Sequence, residues 1–311
     1  MYRDTPWFKT AMAAALGLLL PACSSETGSG NPPGEASGPS RDPVVASGDT
    51  ATAWFGADST GKPLAVPRWV VRSGSLVPGT TDTVAIVFAI EPGWHMYWRG
   101  RNDSGLYPDV RLTLPQGFEA GEILWPAPHR KISPGNILDH VYTGHAVLVL
   151  PVRVPLSAAP GSRVTFEASM DWMVCRGACI PESGTLSAAL PVGPAPESHP
   201  STPDAAVLTD ALARLPRPLP SELGLHMEWR DRVLDIRLDE AEALAFYPGT
   251  ACSNLADPIR DAASESGRLA LEFAKSKDPE IRVRGVLEVR FAGRIGPSRF
   301  YQLALTGPAS G

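Results

Sequence analysis

The chain has 311 residues, with 28 Lys and Arg against 33 Asp and Glu for a net charge of −5. That balance, with no long basic run, argues against nucleic acid as a partner, and 43% apolar with 20% charged residues argues against global disorder. Glycine (29) and proline (32) are frequent, which points to short elements joined by turns, and no apolar run reaches the ~18 to 20 residues that cross a bilayer.

At the start, Arg3 and Lys9 precede the apolar stretch Ala11 to Leu20, which has the length of a signal-peptide core. It runs into Leu20-Pro21-Ala22-Cys23 followed by Ser24-Ser25. This resembles the lipobox of bacterial lipoproteins, which implies a signal peptide over 1–22 and acylation of Cys23. An ordinary secretory signal beside a coincidental cysteine is the alternative. Acyl chains would anchor the protein to a membrane surface in the bacterial envelope, facing the periplasm, with the outer membrane favoured by the serine after Cys23. Such a compartment is oxidising, so disulfides persist there. Residues 23–66 are rich in Gly, Ser, Pro and Thr and are expected to form a disordered tether, with Trp54 and Phe55 as the exception.

From Arg68 to Leu190 short β-branched or alternating runs lie between Pro and Gly turns, for example Thr83 to Ile90, His145 to Val154, Arg163 to Val174 and Gly184 to Val192. The pattern predicts an antiparallel β-sandwich over 67–193. A proline-rich linker follows over 194–222, in which Asp204 to Leu215 has helical spacing. Val233 to Leu238, Arg268 to Phe273 and Val286 to Phe291 alternate again and predict a second, smaller β-rich domain over 223–308. The expected fold class is therefore all-β, with two sandwich modules behind a signal peptide and tether.

Four cysteines are present: Cys23, Cys175, Cys179 and Cys252. Cys175 and Cys179 sit in Trp172-Met173-Val174-Cys175-Arg176-Gly177-Ala178-Cys179-Ile180-Pro181. Fully extended, four residues would separate them by roughly 13 Å, so a bridge requires a turn, which Gly177 permits. The loop so closed would stabilise by only about 2 kcal/mol, against about 4.7 kcal/mol for a 100-residue loop. As a staple it is inefficient. Arg176 beside the pair favours a thiolate, the form that attacks disulfides. Redox exchange, a structural bridge and a metal site all remain open at this point.

The surroundings narrow the choice. Gly93-Trp94-His95-Met96-Tyr97-Trp98, Asp103-Ser104-Gly105-Leu106-Tyr107-Pro108, Leu114-Pro115-Gln116-Gly117-Phe118, Glu122-Ile123-Leu124-Trp125-Pro126-Ala127-Pro128, Tyr142-Thr143-Gly144 and the cysteine segment follow one another in order. This order resembles the N-terminal periplasmic domain of DsbD-type thiol:disulfide interchange proteins, in the variant found in ScsB-like copper-sensitivity suppressors. The resemblance covers about 67–192, and the later module with Ala245-Phe246-Tyr247-Pro248 is similar to the second β-domain of ScsB-like proteins. It implies an immunoglobulin-like sandwich whose cysteines exchange electrons with protein partners and need no cofactor. Cys175 and Cys179 would be the redox pair, with Cys179 forming the mixed disulfide and Cys175 resolving it. Asp139-His140-Val141-Tyr142-Thr143-Gly144 would correspond to the loop that caps the pair, so that Val141 or Tyr142 shields the sulfurs. Partners would be thioredoxin-like or membrane-embedded thiol:disulfide proteins. Full-length members continue into a multi-helix membrane domain and usually a thioredoxin-like domain. Neither occurs in these 311 residues, so a separate protein is expected to supply the electrons of what would be a stand-alone lipoprotein.

Other residues have plain readings. Trp94, Tyr97, Trp98 and Trp125 are expected in the core or on a sheet surface, and Asp103-Ser104-Gly105 is expected to be a turn. His95, His129, His140 and His145, with Met170, Met173 and the thiols, would suit Cu(I), which makes a copper-tolerance protein one alternative. A non-catalytic scaffold with a structural disulfide is another. Cys252 lies in a loop-like stretch and has no assigned role.

Overall fold

A computed structural model describes residues 51–55, 61–194, 202–278, 280–293 and 296–307. The expected signal peptide, the lipidation site Cys23 and the first part of the tether lie outside these residues. The strands are β1 Ala51–Phe55, β2 Ala65–Val71, β3 Thr81–Ile90, β4 His95–Tyr97, β5 Asp109–Thr113, β6 Glu119–Ala120, β7 His129–Ser133, β8 Ile137–Thr143, β9 His145–Arg153, β10 Arg163–Arg176 and β11 Ala178–Pro191. After helix α1 Pro203–Ala213 come β12 Arg217–Pro218, β13 His226–Arg230, β14 Val233–Arg237, β15 Ala241–Pro248, helix α2 Pro258–Asp261, β16 Ala263–Ser264, β17 Arg268–Glu272, β18 Arg282–Phe291 and β19 Arg299–Thr306. Among the described residues the fold is all-β, and the named strands pair antiparallel except for β12 beside β19.

The first module is two sheets face to face. One runs β1-β11-β10-β4-β8-β7, with β5 also on β10; the other runs β2-β3-β9-β6. Alternation along β10 sends Phe166, Ala168, Met170, Trp172 and Val174 inward, where they meet Trp69, Ile86, Phe88 and Leu148 of the opposite sheet. Edge-to-face ring pairs, Trp69 on Phe166 at 5.8 Å and Phe88 on Trp172 at 5.2 Å, join the layers. One carboxylate does so as well. Buried Glu182 on β11 accepts from the backbone N–H of Leu64 (2.6 Å) and Ala65 (3.2 Å), at the entrance to β2, and from Trp172 Nε1 (2.8 Å).

Sheet β2-β3-β9-β6 is buried on both faces at its centre, which is why β3 and β9 are continuous apolar runs rather than alternating ones. The second face, with Val70, Ala85, Val87, Val147 and Val149, is covered by Leu208 and Ala211 of α1. Thr202 caps this helix by accepting from Ala205 N–H at 3.1 Å, Pro203 opens it, and Asp204 pairs with Arg68. Within the span 194–222 expected as a linker, α1 is therefore docked against the first module. The tether expectation for 23–66 is corrected at Ala51–Phe55. Those residues pair in antiparallel register with Ser183–Ser187 of β11, because Thr, Trp and Phe favour extended backbone and β11 offers an open edge.

The second module sets sheet β12-β19-β18-β15-β16 against β13-β14-β17. Leu234 and Ile236 of β14 with Leu269 and Leu271 of β17 face Leu244, Phe246, Leu287 and Val289 of the larger sheet. Buried Cys252 belongs to this core, where burial raises its thiol pKa, and its sulfur is a small apolar filler. Tyr247, Val286 and Phe300 point the other way and join the core of the first module. A cleft of about 1140 Å³ opens beside this junction, lined among others by Arg101, His140, Asn254 and Arg260; neither Cys175 nor Cys179 lines it.

Candidate functional site

The site grows from one hairpin. Strands β10 and β11 run 14 residues each and turn at Arg176-Gly177-Ala178. Gly177 takes φ +81, in the left-handed region that favours glycine. The turn sets Cys175 directly opposite Cys179, with Cα atoms 4.1 Å apart, and the two are joined as a disulfide. The strands thus extend past Val174, where the sequence pattern had ended the first of them, and carry the cysteines on the sheet itself.

The two sulfurs are unequal in access. Cys175 is 3% exposed, packed with Tyr97, Val141 and Met173, whereas Cys179 is exposed. The reason is sheet position. Cys175 also pairs with His95 of β4, and β8 follows β4, so Cys175 has neighbours on both sides. Cys179 is the first exposed position after the turn on β11 to bear a reactive group.

On the same face lies a chain of polar groups. Asp139, 2% exposed on β8, accepts from Ser104 N–H at 2.9 Å and from Ser104 Oγ at 2.7 Å. Tyr97 Oη lies 3.2 Å from Ser104 Oγ and 3.5 Å from Cys179 Sγ. A serine hydroxyl has one hydrogen. Since Ser104 donates it to Asp139 and a disulfide sulfur has none to donate, the single Tyr97 hydrogen serves two acceptors, Ser104 Oγ and Cys179 Sγ. Burial raises the Tyr97 pKa, so this hydroxyl keeps its proton at neutral pH. His95 stands edge-on to Tyr97 at 5.4 Å, its pKa lowered chiefly by burial and further by Lys131.

The residues singled out from sequence are placed as follows. Val141, 2% exposed, packs beside Cys175. Tyr142, one residue on, points to the opposite face, where it lies in the main core and donates to Pro126 O at 2.5 Å. It is turned away from the sulfurs, as strand alternation demands. Nor is the segment from Asp139 a loop: it belongs to β8, paired with β4 and β7. Arg176 lies at the hairpin tip with its guanidinium 4.9 Å from the centroid of the Trp94 ring. Of the residues considered for copper, His95 and Met173 share the cysteine face, Met170 lies in the core, and His140 faces the second module. Among the described residues no group of three or more His, Cys, Asp or Glu converges on a metal position.

Tyr97, Ser104 and Asp139 were not singled out as functional residues from sequence. Tyr97 read as a core aromatic and Ser104 as a turn residue, and both descriptions are true locally. No feature of the local sequence marked them, because the link from Ser104 to Asp139 spans 35 positions.

Gly105 is the tightest point of this constellation. With φ +57, a Cβ there would lie 2.1 Å from two Tyr97 ring carbons. Gly105→Ala is expected to displace Tyr97, lower thiol exchange several-fold and cost about 1–3 kcal/mol of stability. Exchange rates and urea midpoints measured on the same preparation check this, and an unchanged rate would mean that Tyr97 has no part in the chemistry.

Residues 64–191 match the family described as thiol:disulfide interchange protein DsbD, N-terminal. No curated protein matches the chain. Among solved structures, the N-terminal periplasmic domain of ScsB from Proteus mirabilis is similar with TM-score 0.48 and 16% identity, over 82% of this chain and 99% of that one. The sporulation control protein Spo0M from Bacillus subtilis is similar with TM-score 0.20 and 8% identity, over 78% of this chain and 90% of that one. At these values neither structural likeness bears on function.

Proposed function

We propose, on the premise that residues 64–191 form a domain of the DsbD N-terminal type, that the protein performs thiol:disulfide interchange with protein partners through Cys175 and Cys179. The observation that carries the reading is the unequal access of the pair: one sulfur in reach of a docking protein, the other buried directly behind it. In the reducing direction, the Cys179 thiolate attacks a partner disulfide. A Cys179–partner bond forms, the partner's S–S bond breaks, and one partner thiolate leaves. The Cys175 thiolate then attacks Cys179 Sγ, closing the intramolecular bond and releasing the second partner thiolate. Two electrons pass to the partner, and the two protons lost by Cys175 and Cys179 end on the partner's thiols.

Other residues assist in this reading. Val141 keeps water and small thiols from Cys175, so that resolution waits for a docked partner. Arg176 supplies positive charge at the hairpin tip. Tyr97 and Ser104 connect Cys179 to Asp139, the nearest buried carboxylate along the chain of hydrogen bonds. Exchange belongs to the module spanning 67–193, and the partners are thioredoxin-like or membrane-embedded thiol:disulfide proteins. The protein faces the periplasm, and a lipid on Cys23 would hold it at a membrane, the outer membrane being favoured.

The reduction potential of the pair, equilibrated against glutathione or a thioredoxin-like protein, tests the proposal. A value within the range of exchange proteins, about −120 to −270 mV, is expected. A value below about −300 mV, without exchange, would assign the bond to structure alone.

A further inference from the structure

Strand β8 serves two neighbours at once. Asp139 and Val141 face the cysteines, while Leu138, His140 and Tyr142 face the other way. His140 is 1% exposed and stands edge-on to Trp98 at 6.1 Å and to Tyr247 of the second module at 5.5 Å. Burial lowers its pKa, so the ring is neutral at neutral pH, and its Nδ1–H donates to Arg101 O at 2.6 Å. Tyr247 is fixed in turn, its hydroxyl donating to Glu288.

The segment from Trp98 to Ser104 threads between β8 and the second module and is bonded to both. Towards β8, Trp98 N–H donates to His140 O (2.8 Å), His140 N–H to Asn102 Oδ1 (2.7 Å) and Leu138 N–H to Asp103 Oδ2 (2.7 Å). Towards the second module, Arg101 N–H donates to Pro248 O at 2.9 Å, and the Arg101 guanidinium donates to Cys252 O and Asn254 Oδ1. Ser104, three positions after Arg101, is the residue that joins Tyr97 to Asp139.

We infer that the second module is a brace for the cysteine site: through Arg101 and Tyr247 it holds the segment Arg101–Ser104, and so fixes Ser104 between Tyr97 and Asp139. Arg101 and Tyr247 are positioning residues and touch no reacting atom. The inference rests on the exchange reading above and gives the second module a part in it. The consequence follows from the hydrogen count. While Ser104 is held, it competes with Cys179 Sγ for the Tyr97 hydrogen. If Ser104 drifts, that hydrogen is left to the Cys179 thiolate alone, and a hydrogen bond to the charged form favours that form.

The test uses the full chain, reduced, as wild type, Arg101→Ala, Tyr247→Ala and Tyr247→Phe. Alkylation of Cys179 by iodoacetamide is followed at pH 7, with peptide mapping to separate it from Cys175 and Cys252. Arg101→Ala and Tyr247→Ala are expected to react at least about threefold faster than wild type, and Tyr247→Phe, which keeps the ring against His140, at the wild-type rate. Lower urea midpoints with unchanged alkylation in both alanine variants would overturn the inference, since a purely structural support moves stability alone. Should Arg101→Ala fail to fold, the contrast between the two Tyr247 variants decides. Wild-type protein that neither exchanges with glutathione nor with a thioredoxin-like protein would overturn the exchange reading itself. Exchange by wild type alongside unresponsive variants would remove only the brace.

Discussion

Cys175→Ala protein is expected to retain a partner covalently, and Cys179→Ala protein is expected to retain none. The asymmetry follows from the hairpin. Cys179 is exposed and Cys175 is 3% exposed behind Tyr97 and Val141, so a docking protein meets Cys179 first. With Cys175 absent, the mixed disulfide has no internal thiol to resolve it and accumulates. With Cys179 absent, the remaining sulfur is out of reach. Both variants should lose turnover by at least about a hundredfold, because the two thiols act as a unit. Non-reducing gels of each variant mixed with an oxidised thioredoxin-like protein, then repeated with dithiothreitol, give the readout. Equal trapping by both variants would contradict the assigned roles. The stability cost should be small, since a loop this short contributes only about 2 kcal/mol.

Glu182→Ala is expected to cost about 3–5 kcal/mol, the largest stability effect foreseen for a single polar side chain here. Its carboxylate is 2% exposed and, among the described residues, accepts from the backbone N–H of Leu64 and Ala65 at the entrance to β2 and from Trp172 on β10. Removing it leaves those donors buried without the acceptor that serves them, and it cuts a polar link between the two sheets. Glu182→Gln should cost less, about 2 kcal/mol. It keeps one carbonyl oxygen but turns an amide N–H₂ towards a donor. Urea unfolding at neutral pH measures both, with the slope unchanged if the transition remains two-state. A shift in Glu182→Ala no larger than that of a surface substitution would mean that water replaces the carboxylate.

Part of the site was legible because it is local. The separation of Cys175 and Cys179, with glycine between, confines the possible geometries to a tight turn, and a disulfide fits that turn. The helix within the expected linker was legible too, from its spacing, to within two residues at its C-terminal end. Other features depend on distant partners. Ser104 and Asp139 are 35 positions apart, and nothing in either neighbourhood announces the other. Val141 and Tyr142 are adjacent and both apolar, so composition could not say which of them lies beside the sulfur. Only the register of β8 against β4 separates them.

The amino-acid order by itself determined the all-β class, the places where the chain turns, and the cysteine pair with its hairpin, because alternation, glycine and short-range closure are properties of neighbouring residues. Tertiary structure alone decided which face of β8 meets the sulfurs, that α1 covers the outer face of one sheet, that Ala51–Phe55 extends the other, and that Arg101 and His140 meet the second module. Those outcomes rest on pairings between residues far apart in sequence. Their free energy depends on what lies opposite a side chain, and no local pattern encodes that.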